Sequence, residues 1–183
     1  MEMKDTRRIE AEPAVVWQAL LDPDVLKASV PGCEELTGSA EEGFEAAVVQ
    51  KVGPVKARFK GNVTLSERVE GESLYLSGEG KGGAAGFAKG GARVRLEPDG
   101  GATLLHYEVE AKVGGKLAQL GSRIIDGFAR KMADEFFTRF QQAVEGPGDG
   151  EPTAEDAAGE AGEAAGGDEP EEKKGWFRKM IRR

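Results

Sequence analysis

The chain has 183 residues, a formal net charge of -8 and 39% hydrophobic residues, enough for one domain with a sizeable core. One cysteine, Cys33, and one histidine, His106, exclude a disulfide within the monomer and a zinc site built from cysteines or histidines, so a reducing compartment fits best. The average charge hides three segments: residues 1–145 carry 19 Lys+Arg against 23 Asp+Glu, residues 146–172 carry 10 acidic residues and no basic one, and residues 173–183 carry six basic residues and no acidic one.

The opening stretch MEMKDTRRIEAEP is charged and lacks the apolar core of a signal peptide, and no apolar run approaches the roughly 20 residues of a spanning helix. A cytoplasmic protein, peripheral on a membrane if attached to one, is the expectation.

Met3 to Ala11 reads as a first strand, although only Met3 and Ile9 are large and apolar. Glu12-Pro13 opens a helix, since proline suits the first helical turn, and Val16, Trp17, Leu20 and Leu21 share a face. Asp22-Pro23 breaks it and starts a shorter helical piece from Asp24 to Ala28, ended by Pro31-Gly32. From Cys33 the period changes to two. Phe44, Ala46 and Val48 alternate with Glu45, Ala47 and Val49, and after the turn at Gly53-Pro54 a second run alternates Val55, Ala57, Phe59, Gly61, Val63 and Leu65 with polar neighbours. Ser73 to Gly80 is the next strand, and a hairpin around Pro98-Asp99-Gly100-Gly101 pairs Ala92-Val94-Leu96 with the run Leu105 to Val113.

The last body segment, Gly115 to Glu145, carries Leu117, Leu120, Ile124, Phe128, Met132, Phe136, Phe140 and Val144 at steps of three or four. Ile125, Ala129, Ala133 and Phe137 widen that apolar stripe, and charges occupy the opposite side. A single helix of this length spans roughly 45 Å. The order of a strand, two short helices, about six antiparallel strands and one long helix predicts an α+β domain, a curved antiparallel sheet with the helix on its concave face.

The glycine-rich stretch from Gly78 to Gly91 reads either as a flexible crossing between strands or as a gate over a cavity mouth with Phe87 as its large apolar residue. It is no phosphate loop, because Gly80-Lys81 is followed by Gly82-Gly83 rather than Ser or Thr and a helix.

Six motifs in order resemble the CoxG family, the G subunits of carbon monoxide dehydrogenase. They are Val16-Trp17, Leu20-Leu21-Asp22-Pro23, Pro31-Gly32-Cys33, Val52-Gly53-Pro54-Val55, Gly86-Phe87-Ala88-Lys89-Gly90, and Gly115 to Arg123 followed by Phe136-Phe137. The resemblance covers residues 1–145. It implies a START-like, helix-grip fold of the SRPBCC superfamily, with an apolar cavity between sheet and helix. It also implies a non-enzymatic accessory protein that recruits a molybdenum-containing CO dehydrogenase, or a related hydroxylase, to the membrane. A bound quinone, menaquinone or ubiquinone, is a ligand associated with that family.

Candidates for chemistry are few. Strand alternation turns His106 outward with Glu108, and Glu34-Glu35 beside Cys33 disfavours a reactive thiolate. The expected ligand-binding residues are Phe44, Phe59, Phe87, Tyr107, Leu120, Ile124, Phe128 and Met132, which equally suit plain core; small residues at Ala46, Ala57, Gly61, Ala92 and Gly121 favour open space among them. Residues 146–172 read as a disordered acidic linker. Beyond it, Trp176, Phe177, Met180 and Ile181 occupy one side of a helix, with Lys173, Lys174, Arg178, Lys179, Arg182 and Arg183 supplying charge for an anionic membrane surface. Folding of this segment on a protein partner is the competing reading. Nucleic acid is disfavoured because the body shows no basic stripe in sequence. A maturation or chaperone-like assembly factor with no physiological ligand is the alternative for the whole chain.

Overall fold

The structure, a computed structural model, describes residues 1–145. The acidic linker and the expected membrane-binding residues Lys173, Lys174, Trp176, Phe177, Arg178, Lys179, Met180, Ile181, Arg182 and Arg183 lie outside the described residues.

Strand β1 (Glu2–Ile9) leads into helix α1 (Pro13–Leu20) and helix α2 (Pro23–Ser29). Both helices begin on a proline whose missing N–H costs nothing in a first turn, and the Asp22 side chain caps α2 by accepting from the Asp24 N–H at 2.8 Å. Six strands follow: β2 (Cys33–Ser39), β3 (Gly43–Val52), β4 (Val55–Val69), β5 (Ser73–Lys81), β6 (Phe87–Asp99) and β7 (Ala102–Gly114). They form one antiparallel seven-stranded sheet in the order β1-β7-β6-β5-β4-β3-β2. The first strand thus closes against the last, with Met3 opposite Val109 and Ile9 opposite Thr103. The curved sheet with a long terminal helix is the α+β arrangement that the alternation predicts.

Two expectations are corrected by the backbone. The segment from Gly115 to Glu145 is not one helix: a single turn, α3 (Lys116–Gln119), is separated from α4 (Ser122–Glu145) by Gly121 at φ 91°. That left-handed conformation suits glycine and stops a right-handed helix. The 24 residues of α4 span about 36 Å rather than 45 Å. The glycine-rich stretch is mostly strand as well. β5 runs to Lys81 and β6 starts at Phe87, so only a tight connection around the 3-10 turn Gly83–Ala85 lies outside the ladder.

The main core lies where the C-terminal half of α4 crosses the sheet. Phe137 and Phe140 pack with Ile9, Val16, Trp17, Leu74, Leu105 and Tyr107, and Phe140, Ile9 and Val16 are fully buried. Two buried hydroxyls are satisfied there, Thr103 donating to Ala11 O and Ser29 to Val25 O, both at 2.7 Å. A second, smaller cluster of Val52, Leu117 and Ile125 lies at the other end of α4, flanked by Val55, Phe59, Leu120 and Phe128.

A hollow between helix and sheet as the candidate ligand site

Between the two clusters the helix and sheet do not meet, and a cavity of about 710 Å³ remains. Cross-strand registry explains it. One inward row reads Leu36, Ala46, Gly61, Gly80, Ala88, Val113 and the next Phe44, Val63, Gly78, Gly90, Ala111. Away from Leu36 and Phe44 on β2 and β3, side chains this small leave the concave face short of the helix, whereas the following row, Leu65, Leu76, Ala92, Val109 and Met3, begins to fill the gap. From the helix side Ile125, Phe128, Met132 and Phe136 border the hollow, and Leu26 of α2 with Val30 just beyond it borders its flank.

The lining is almost wholly apolar. Strand parity turns the side chains of Asn62, Ser77, Glu79, Lys89 and Glu110 to the outer face although their backbones border the space. Gln50 and Tyr107 are the inward polar strand side chains that border the hollow. Gln50 spends one donor on Pro31 O at 2.5 Å. Tyr107 stacks on Phe137 with centroids 5.1 Å apart, beside the guanidinium of Arg7, which lies 5.2 Å from the Phe137 centroid and pairs with Asp134 at 2.5 Å. Burial opposes the Arg7 charge, but Asp134 and the Tyr107 hydroxyl outweigh it and raise its pKa, so a fixed positive charge stands behind the tyrosine.

Of the eight residues expected to line a ligand site, Phe44, Phe59, Tyr107, Phe128 and Met132 border the cavity. Phe87, Leu120 and Ile124 do not, and each is a correction. Phe87 shares the outward parity of Lys89 and Gly91, and its ring covers Gly114, where an added Cβ would lie 2.2 Å from the ring. Leu120 sits in the break between α3 and α4 and packs with the smaller cluster. Ile124 is 40% exposed and faces the β3–β4 turn, where a Cβ on Gly53 would lie 3.5 Å from its Cγ2; its neighbour Ile125 faces in. Of the expected small residues, Ala46, Gly61 and Ala92 border the space, whereas Ala57 and Gly121 do not. The contribution of α2 was not expected, because a seven-residue helix is too short to show a period.

The other candidates lie outside the hollow. His106 sits on the outer face between the Thr6 hydroxyl at 2.8 Å and Glu97 at 2.9 Å. Burial pushes the Cys33 thiol pKa up, Glu34 adds to the rise, and Lys27 and the Glu35 backbone oppose it. Among the described residues no group of three or more His, Cys, Asp or Glu is placed to hold a metal ion, and no helix is long and apolar enough to cross a membrane.

The sequence profile of the carbon monoxide dehydrogenase G subunit, CoxG, matches residues 6–145. The chain belongs to the CoxG family. No curated protein matches this CoxG chain. Among solved structures it is similar to a conserved protein from Geobacillus kaustophilus, at 25% identity over 79% of this chain and 95% of that one, with a TM-score of 0.74. A START superfamily protein from Mycobacterium smegmatis has the same fold at 13% identity, covering 79% and 97% of the two chains with a TM-score of 0.62. A protein from Thermus thermophilus does so at 16% identity over 79% and 97%, with a TM-score of 0.61. The fold of this CoxG-family chain is therefore START-like, in a family of CO dehydrogenase accessory subunits.

Proposed function

We propose that this protein is a non-enzymatic accessory to a molybdenum-containing CO dehydrogenase or a related hydroxylase. In this reading it holds an isoprenoid quinone or similar lipid in its hollow and serves electron transfer from that enzyme at the inner face of the cell membrane. The observation that carries the reading is the apolar cavity of about 710 Å³ in a chain of the CoxG family. At about 30 Å³ per heavy atom that space takes about two dozen atoms, a two-ring quinone head with about two isoprene units. A longer tail would extend out of the hollow. Ten isoprenoid carbons at about 0.8 kcal/mol each give about 8 kcal/mol of gross transfer free energy before association costs. Tyr107, backed by the Arg7 charge, supplies one hydroxyl donor for a quinone carbonyl in surroundings that offer an apolar ligand little else.

The test is native mass spectrometry with lipid extraction on the full chain purified from its own membranes, alongside capture of the dehydrogenase. The expected result is a co-purifying quinone, lost from a variant whose hollow is filled. Protein that carries no isoprenoid or lipid but still captures the dehydrogenase would replace this reading with that of an assembly factor.

A further inference from the structure

The topology sorts charge between the two ends of the sheet. At one end lie the β3–β4 turn, the β5–β6 connection and the segment from the end of β7 into α4. Residues 51–56, 81–87 and 112–124 carry six Lys or Arg and no Asp or Glu. At the opposite end lie the other three hairpin tips, where residues 39–43, 67–73 and 97–102 carry seven Asp or Glu and one Arg. In sequence these charges are scattered; antiparallel order brings them together. Lys51, Lys56, Lys81, Lys112, Lys116 and Arg123 are all exposed, and none is ion-paired to a described residue. By contrast Arg58, further along β4, is neutralised by Glu34 and Glu35.

The basic end has two further properties. Phe87 and Ile124, both 40% exposed, lie there among the lysines. It is also where the hollow has its thinner seal, the Val52–Leu117–Ile125 cluster, while the main core closes the other end. The parts of that seal are tied together: Ile124 lies against Gly53, and the backbones of Gly86 and Gly115 approach so closely that a Cβ on Gly115 would lie 2.6 Å from Gly86 Cα.

We propose that this basic end of the folded domain is itself a docking surface for an anionic phospholipid bilayer, with Phe87 and Ile124 entering the interface and the seal of the hollow facing the lipid. Charge complementarity selects the occupant, and the apolar pair among the lysines distinguishes a bilayer from a purely anionic polymer. The acidic end then points away from the membrane. The proposal rests on the lipid-carrier reading and deepens it: a ligand leaving the bilayer crosses only the thin seal, and the contact does not depend on residues 173–183.

The experiment uses the full chain in two backgrounds, the parent and one with Lys173, Lys174, Arg178, Lys179, Arg182 and Arg183 all replaced by Gln. Into each go K51Q/K56Q/K81Q/K116Q and, separately, the opposite-end control E41Q/E70Q/E72Q. Flotation with phosphatidylcholine vesicles, with and without phosphatidylglycerol, is read beside uptake of a short-chain isoprenoid quinone from detergent. The expected result is a loss of at least about tenfold in partition onto the anionic vesicles for the four-lysine variant in both backgrounds. Its thermal unfolding and quinone uptake stay unchanged, and the control leaves partition unaltered. Unchanged partition of the four-lysine variant overturns the proposal. So does a gain by the control as large as the loss, which would mark unoriented attraction. If the parent takes up no isoprenoid from detergent yet floats through these four lysines, the cavity reading falls and the docking surface stands.

Discussion

Gly80→Leu separates an open hollow from an ordinary core. Gly80 faces inward in the row with Gly61 and Ala88, and a Cβ built on it meets nothing within 4 Å. Its inward neighbours differ: a Cβ would fall 2.4 Å from Glu79 O at Gly61, 2.5 Å from Asn62 O at Gly78 and 2.0 Å from Glu110 O at Gly90. Leucine at position 80 adds four heavy atoms, about 120 Å³ at about 30 Å³ each, roughly one sixth of the 710 Å³ hollow. Relief of a strand glycine contributes about 0.5–1 kcal/mol, and partial burial of the new side chain adds about 1 kcal/mol. The ligand-free domain is therefore expected to unfold about 3–8 °C higher. A ligand that had used those four atom positions loses about 3 kcal/mol, or on the order of 150-fold in Kd. Thermal unfolding of the ligand-free protein and equilibrium titration with a short-chain isoprenoid quinone read the two effects separately. A lowered midpoint, the signature of overpacking at about 1–3 kcal/mol, would refute the open hollow, and unaltered affinity with a raised midpoint would place the ligand elsewhere.

Gly90→Ala is expected to do the reverse, lowering the midpoint because its Cβ would press on the backbone of Glu110 and Ala111, which cannot swing aside as a side chain can; a midpoint equal to the parent's counts against the β6–β7 registry. Phe140→Ala, at a fully buried ring in the main core, is expected to cost about 3–5 kcal/mol by denaturant titration, and a loss under about 1 kcal/mol would place the main core elsewhere. Gly121→Ala forces a non-glycine residue to φ 91° and is expected to cost about 1 kcal/mol, which unfolding checks against Gly127→Ala in the second turn of α4, where a Cβ meets nothing within 4 Å. The raised Cys33 pKa keeps the thiol protonated to higher pH in the folded state than in the unfolded one. This contribution to stability is present below the unfolded thiol's pKa and is lost as pH rises through the folded value. Alkylation of Cys33 at mildly alkaline pH is accordingly slower than in the unfolded chain, and equal rates would contradict the burial.

The strand residues of the site were legible because period two is unambiguous: once β3, β4 and β7 are placed, Phe44, Phe59 and Tyr107 share one face. Phe87 was misplaced because the run of glycines hides where the strand begins, and a residue taken to be in a loop has no parity. The helix failed in another way. Residues four apart turn about 400°, so each step drifts about 40°, and the row from Ile124 to Val144 winds through about 200°. Such a row cannot face one surface along its length. At the N-terminal end Ile125 faces in and Ile124 out, while lower down Phe136 borders the hollow and Phe137 joins both hollow and core. Gly121 added a second error, since the break lets α3 turn independently of α4 and removes the phase that ties Leu117 and Leu120 to the stripe. The basic end had no linear signature at all.

The same chain thus solves two demands at different heights along one helix. Stability needs interdigitated large side chains, and the lower half of α4 supplies them against Ile9, Leu74 and Leu105, where the inward rows of the sheet are large too. A ligand space needs the opposite, and the upper rows of the sheet, Gly61-Gly80-Ala88 and Gly78-Gly90, withdraw from the helix while Phe128 and Met132 keep its surface apolar. A hollow produced by poor packing would be scattered and irregular, and the surrounding side chains would relax into it. Here the small residues are aligned across neighbouring strands and backed by backbone contacts that leave them nowhere to collapse, so the open space is built into the sheet itself. A carrier of the kind we propose requires that, since a protein that needed its ligand to stay folded could not release it.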